Sequence, residues 1–444
     1  MSKVCALIAL PEGGVPPLEK VCGLPLLLRH LFVLREAGVR DALVVGELDG
    51  RGRKLLERSE GKIGVRARHF KPDDIEGILE ALLDFEEVLL VDGRYGFEFL
   101  LLEAARKAGK GTALVDADPS QPEGTPKVSV SEGRVLSLSA PAGGVQFAGV
   151  AFLPWEWVEE ALRSGARPTE SVGFLLKVAE KHELRAINLA EISPYDPERR
   201  RPVKPTWRFL ASRADVPKLR KALVYGTQKR TLDVMAWYVH RPVENRLTCL
   251  LAETPLTPNQ MTALTLLVAL CVALLFATKH LLAGALLALA VNIMDGLDGK
   301  LARAKGMTTK VGLLEHSLDL FYEQSWYIAY GYAAYSLSGG KLWVLAVLVG
   351  MLLFDSFARH IYMQFRQAVG ISLSDVAPFD RAFRRFDGRR NIYSLYMLGG
   401  AIFGLPWVAL CLMAFHAFLT ATIYFARAVK HLKSADLGRL KVGE

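Results

Sequence analysis

Asp295 and Asp298 lie inside an apolar stretch, "LLAGALLALAVNIMDGLDGKLARAKG". On a helix, residues three apart share a face. A carboxylate near the hydrocarbon centre of a membrane costs roughly 2.5–3.5 kcal/mol on insertion scales, and two neighbours also repel. Such a pair needs a compensating charge. The next apolar stretch begins "VGLLEHSLDLFYEQ", where Glu315 and Asp319 are four apart and again share a face. If the end of one span and the start of the next sit at the same depth, the four carboxylates converge. Hard oxygen ligands at this density suit Mg²⁺ or Mn²⁺, two ions being the natural number for four acids that also meet phosphate oxygens. Without a metal, the same acids would be a polar cluster locking helices together, or an ion path in a transporter or sensor. Glu323 extends the stripe by one turn.

The residues between the acids suit a phosphorylated ligand. Gly299 and Ala302 follow one turn after Asp295 and Asp298, leaving room for close approach to the backbone. Arg303 stands four residues beyond Gly299 and can pair with a phosphate. Farther on, Arg359, Arg366, Arg389 and Arg390 are candidates for an acceptor's phosphate, or are simply topology-setting charge. Asp355, four residues before Arg359, reads as its intrahelical ion-pair partner.

These residues need a membrane to hold them. From residue 255 the chain becomes a series of apolar segments, about 259–278, 281–303, 311–336, 341–365, 391–404 and 406–430. Six spans are expected, the fifth being shortest. The turns "TKHL", "LSGGK" and "GLP" are small, whereas "ARAKGMTTK", "RAFRRFDGRRN" and "ARAVKHLK" are basic. Basic loops stay in the cytoplasm, so both ends and the acidic site are expected there, in a multi-pass cell-membrane protein.

The string Asp295-x2-Asp298-Gly299-x2-Ala302-Arg303-x8-Gly312 resembles the signature of CDP-alcohol phosphotransferases, and "TPLTPNQMT" resembles that family's entry to its first span, with Asn259 and Thr262 matched. The resemblance covers roughly 240–432. The family's third and fourth acidic positions would fall on His316 and Leu320, and here the acids stand one residue earlier, at Glu315 and Asp319. The resemblance implies a metal-dependent attack of an acceptor hydroxyl on a CDP-alcohol, with release of CMP. It further implies Asp295, Asp298, Glu315 and Asp319 as metal ligands, Asp319 also as general base, and Asn259, Gly299, Ala302 and Arg303 around the cytidine diphosphate. The expected partners are a CDP-alcohol donor, an alcohol or alcohol-phosphate acceptor, membrane lipid and a second copy in a homodimer.

Residues 1–200 have different physics. "KVCALIAL", "DALVVG", "EVLLVDG" and "TALVDAD" read as buried strands, and "PLLLRHLFVLREAG", "DIEGILEALLDF" and "FEFLLLEAARKAG" as helices. Alternation of this kind implies an α/β Rossmann-like domain with a mainly parallel sheet. "KVSVSEGRVLSLSA" reads as a hairpin turning at Glu132–Gly133. The opening segment, with "VLLVDG" and "GVAFLPWEWVEEAL", resembles sugar-nucleotidyltransferase-like domains. That family's phosphate loop is reduced here to "PEGGVPP" without an Arg, and Lys20 is displaced. Asp92 matches one metal-binding Asp, and Glu191 and Asp196 are the only acids near the second. A domain that keeps the fold without nucleotidyl transfer is expected. The alternative is a bifunctional chain that also makes the CDP-alcohol from CTP. Fusion of these two families resembles archaeal inositol-phosphate cytidylyltransferase/di-inositol-phosphate-phosphate synthases, which implies a polyol-phosphate substrate.

Between the halves, 201–254 reads as a basic linker with one or two helices, either interfacial or merely connecting, and 433–444 as a tail. The net charge of +9 among 444 residues fits nucleic acid, anionic lipid or phosphorylated substrates. Beside long apolar segments, the Lys/Arg bias of cytoplasmic loops takes the largest share, and no nucleic acid is expected. Cys5, Cys22, Cys249, Cys271 and Cys411 are scattered, as free thiols in a reducing compartment would be. "MSKVCALIALPEGG" lacks the features of a signal peptide.

Overall fold

The computed structural model describes residues 3–118, 121–139, 144–196, 199–229, 233–309 and 311–439. The first half is a nine-stranded sheet. Its strands are β1 (Val4–Leu10), β2 (Asp41–Gly46), β3 (Arg66–Phe70), β4 (Glu87–Asp92), β5 (Thr112–Asp116), β6 (Lys127–Ser131), β7 (Arg134–Ser139), β8 (Val145–Pro154) and β9 (Arg185–Asn188), in the order β3-β2-β1-β4-β8-β5-β9-β7-β6. β1 runs parallel to β2 and β4, and β3 parallel to β2. β1 and β4 are buried over nearly their whole length, which is why their sequences are continuously apolar. The far side is mixed, because β8 returns antiparallel to both β4 and β5. The β6–β7 hairpin makes that return possible. Its turn places Glu132 at φ 50° and Gly133 at φ 74°, a left-handed pair that matches strand twist.

The second half is helical. Its long helices are α1 (Pro258–Ala277), α2 (Leu281–Lys305), α3 (Glu315–Leu337), α4 (Leu342–Val369), α5 (Arg390–Ile402) and α6 (Pro406–Asp436). Six spans were expected from the sequence, but four of these helices, α1, α2, α4 and α6, are long and apolar enough to cross a membrane. The other two differ for separate reasons. α3 carries Glu315, Asp319 and Glu323 in its first turns. α5 has 13 residues, about 20 Å at 1.5 Å per residue, short of a hydrocarbon core of about 30 Å. Leu267, Leu274, Leu353, Phe357 and Phe415 stand exposed on the long helices, a surface suited to lipid.

The start of α1 explains the "LTPNQ" string. Thr257 caps the helix in a reciprocal capping box with Gln260, at 3.3 and 2.9 Å, and Pro258 occupies the first helical position. α2 ends at Gly306, φ 67°, with Met307 N donating to Ala302 O at 2.8 Å.

The halves are joined by polar contacts. Arg29, 1% exposed, donates to Ala304 O at 2.5 Å and Phe97 O at 3.3 Å, and Arg35 donates to Thr308 O at 2.6 Å. Cations thus meet the negative end of the α2 dipole. The segment Arg241–Ala252 is a helix held along α2: Lys300 Nζ meets Glu244 at 2.9 Å and Asn245 at 2.7 Å. Gly296 allows this approach, since a Cβ there would fall 2.6 Å from the Glu244 carboxyl. The helix is thus keyed to the bundle by a buried ion pair.

Candidate metal and phosphate site

The helix registers expected for the acids are those observed. α2 carries Asp295 and Asp298, and the first turns of α3 carry Glu315 and Asp319. Glu315, His316 and Asp319 offer ligand atoms within 4.8 Å of one another. Asp319 and Asp295 are within hydrogen-bonding reach, and Asp298 and Glu315 lie in the same electrostatic cluster. Asp298, 3% exposed, accepts from Thr262 Oγ1 at 2.6 Å and from Gly299 N at 2.6 Å. Thr262 therefore acts by orienting Asp298. Among the described residues, neither Asp298 nor Glu315 pairs with a cation. Among the described residues, the ion pair that Asp319 makes is with His316, at 3.6 Å. Anionic oxygens crowded this closely, with so little cationic compensation, fit a divalent metal in chemistry and number.

Asp295 is the exception. Arg390 on α5 forms a bidentate pair with it and lies 3.3 Å from Glu323. Tyr322 donates to Asp295 at 2.9 Å. Arg390, a candidate for the acceptor's phosphate, sits on the Asp295 carboxylate. Arg359, expected in the same role, pairs with Glu323 and with Asp355, the latter at 2.9 Å. Its charge is spent inside the bundle. Arg389 pairs with Asp387 at 2.8 Å, while Arg384 shares the same carboxylate at 2.9 Å. Arg366 ends α4 as the acceptor for the Gly370 cap.

Of the expected nucleotide ligands, Gly299, Ala302 and Arg303 follow Asp298 directly on α2. The Arg303 guanidinium folds back to within 3.4 Å of where a Gly299 Cβ would lie. Asn259 is exposed in the first turn of α1, one turn before Thr262.

Lys229 belongs to this neighbourhood and was not among the expected residues. It lies on the linker, within electrostatic reach of Arg303, Arg200, Glu315 and Asp295. Burial and the two guanidiniums pull its ammonium down to about 8, against the opposing pull of the acids. No spacing rule reaches from residue 229 to 315.

The sheet domain has its own acid at a strand end. Asp92 closes β4 and is fully buried. Arg94 occupies it completely, with Nη2 at 2.7 Å, Nε at 3.1 Å and its backbone N at 3.0 Å. A cavity of about 170 Å³ lies beside this pair, lined by Gly13, Gly14, Pro16 and Arg94. Gly13 and Gly14 have φ of 84° and 72°, so the shortened loop keeps its glycine-dependent turn. Asp196 pairs with Arg199 at 3.2 Å, and Arg199 also meets Glu98. Lys20 is exposed on a two-residue strand. A bare two-acid metal site is therefore not assembled in this domain among the described residues.

Comparison with known proteins now bears on both halves. Residues 255–380 match the family model described as CDP-alcohol phosphatidyltransferase. The helical half carries a CDP-alcohol phosphatidyltransferase domain. The chain is also similar to two curated proteins called "Bifunctional IPC transferase and DIPP synthase". One, from Thermococcus kodakarensis, is 29% identical over 51% of this chain. The other, from Aquifex aeolicus, is 26% identical over 78%. The match spans about half of the Thermococcus protein, 52% of its length, and 78% of the Aquifex protein. Among solved structures, the inositol-1-phosphate CTP transferase from T. maritima aligns over 48% of this chain and 91% of its own, with 17% identity and a TM-score of 0.37. The Mycobacterium tuberculosis phosphatidylinositol phosphate synthase with CDP-DAG bound aligns over 43% and 93%, with 19% identity and a TM-score of 0.34.

Proposed function

We propose that this chain is an integral-membrane CDP-alcohol phosphotransferase whose site is the acid cluster of α2 and α3, facing the cytoplasm. The observation that carries this is the acid cluster: Glu315 and Asp319 offer ligand atoms within 4.8 Å of one another, and Asp298 and an Asp295 already paired with Arg390 lie within electrostatic reach of them, inside the segment matching the family model. Asp295, Asp298, Glu315 and Asp319 would hold Mg²⁺ or Mn²⁺, which when bound supplies positive charge to the diphosphate and the leaving group.

The chain's own residues do the rest. Thr262 and the Gly299 amide fix the Asp298 carboxylate. Asn259, Gly299, Ala302 and Arg303 line the approach for the cytidine diphosphate. Asp319 takes the proton of the acceptor hydroxyl as its oxygen bonds to the β-phosphorus. The bond from that phosphorus to the bridging oxygen breaks, and CMP leaves with the electron pair. Arg390 holds Asp295 in place, and Tyr322 supports the same carboxylate. The products are a phosphodiester and CMP.

The same reading gives the sheet domain a docking role without nucleotidyl transfer, supported by the Asp92–Arg94 pair. The relatives' bifunctional name keeps the alternative alive that this domain makes the donor from CTP. Pyrophosphate release from CTP and an alcohol phosphate by the full chain would establish that alternative. For the transferase itself, the test is metal-dependent CMP release from a panel of CDP-alcohols and acceptors. A homodimer belongs to the reading as well, and light scattering in detergent at twice the chain mass would show it.

A further inference from the structure

The end of α2 is buried against the sheet domain and the linker. Leu301 is fully buried in one apolar cluster with Val21, Cys22, Leu26, Leu219 and Ala252. Met307, just past the helix end, packs on the main core of the sheet. Gly306 faces Val33 of the helix Leu26–Glu36, since a Cβ there would fall 3.4 Å from the Val33 methyl. The helix that carries Asp295 and Asp298 is thus also a piece of the soluble core.

A helix end leaves its last four carbonyls without partners inside the helix. Ala302 O accepts from Met307 N at 2.8 Å and Arg303 O from Gly306 N at 3.2 Å, a local cap. Ala304 O takes its donor from the sheet domain, Arg29 Nη1 at 2.5 Å. Ala304 and Arg29 are both buried, so bulk water does not stand in for that donor. Arg29 Nη2 donates at the same time to Phe97 O at 3.3 Å. One planar guanidinium therefore joins a carbonyl of each half, a fork that a lysine ammonium does not reproduce. Arg35 adds a second cation at Thr308 O.

The same turn also fixes the start of α1. Lys305, itself buried, donates to Thr254 O at 2.7 Å and to Leu256 O at 2.8 Å, directly before the Thr257 cap. Asn259, Ala302 and Arg303, three of the four residues assigned above to the cytidine diphosphate, therefore lie within three residues of a carbonyl held by Lys305 or Arg29. Arg303 also lines a small cavity at the seam between the halves, together with Arg29, Glu36, Glu98 and Arg199.

We propose that Arg29 of the sheet domain is a positioning residue for donor binding: by capping the last turn of α2 it holds Ala302 and Arg303 where they meet the cytidine diphosphate. This rests on the transferase reading and deepens it, because it makes the sheet domain a working part of the donor site. Arg29 touches no substrate and acts through the α2 backbone. The sheet domain then sets the affinity for the donor without doing chemistry of its own.

The test uses the full chain in detergent with Mg²⁺ and a donor–acceptor pair that gives CMP release. Arg29→Gln should raise the donor KM about tenfold, the loss of one charge-assisted hydrogen bond, and leave the acceptor KM unchanged. Arg29→Lys should recover part of that loss, since it keeps the charge without the fork. Arg35→Gln, on the less buried cation, should raise the donor KM about threefold. A contact that served stability alone would lower the yield of active protein at an unchanged donor KM. Hydrogen exchange in the unmodified protein depends on no variant folding. CDP with Mg²⁺ should slow amide exchange along Leu26–Glu36 about tenfold, because coupling between two sites is reciprocal, and glycerol 3-phosphate should not. If Arg29→Gln does not fold, Arg35→Gln and the exchange experiment decide. No CMP release from any CDP-alcohol would overturn the transferase reading and this inference together. With release present, an unchanged donor KM in Arg29→Gln, an equal rise in donor and acceptor KM, or exchange along Leu26–Glu36 indifferent to CDP would overturn this inference alone.

Discussion

Both halves of the chain bury an aspartate, Asp92 and Asp298, and they treat them oppositely. Asp92 in the sheet domain is closed by its neighbour Arg94, which uses three donors on one carboxylate. Asp298, Glu315 and Asp319 in the helical half crowd together with one distant arginine on Asp295 and a histidine beside Asp319. A carboxylate with a full set of internal donors has no remaining need for a cation. A crowd of carboxylates without them does. That contrast is what supports the proposed division between a docking domain and a catalytic site.

That contrast can be broken in order of expected effect. Asp298→Ala should lower metal-dependent CMP release by on the order of 10³-fold, because several kcal/mol of charge stabilisation depend on metal held there. Asp319→Asn should cost about 10²–10⁴-fold in kcat, the usual worth of a general base, and should flatten the acidic limb of the pH–rate profile. Asp92→Asn should leave CMP release unchanged while lowering stability by about 1–3 kcal/mol, since Arg94 loses its charged partner and one of the two oxygens it donates to. A fall in CMP release in that variant without a fall in stability would make the sheet domain part of the chemistry.

Acid offers another probe of the sheet domain. His30 is buried, its Nε2–H donates to Tyr95 O at 2.7 Å, and burial pushes it down to about 4. The unfolded chain takes up this proton near pH 6.5, whereas the folded one resists until about 4. Stability is therefore full above 6.5 and falls by about 3 kcal/mol as pH drops to 4. Denaturant midpoints at pH 7 and pH 4.5 should show that loss, and His30→Asn should reduce its size.

Much of this was legible in the sequence, and the limits have physical causes. The Asp295–Asp298 and Glu315–Asp319 spacings give one face each because helix geometry is local. The Glu132–Gly133 turn is likewise local. The partnerships of Arg390 and Arg359 were not legible, since a basic residue at a helix end looks the same whether it meets a ligand or a buried acid. Lys229 lies in a linker with no periodicity, and only the packing of the chain brings it near α2 and α3. Six apolar runs were visible, but length and charge together leave four clear spans, with α3 and α5 given over to the site and its neighbourhood.

The central claim is tested most directly by CMP release from a CDP-alcohol by the purified full-length protein, with and without Mg²⁺ or Mn²⁺, alongside Asp298→Ala. The account predicts release that requires the metal and is lost in the variant. Release that persists in Asp298→Ala, or ion flux through liposomes with no CMP formed under any condition, would contradict it.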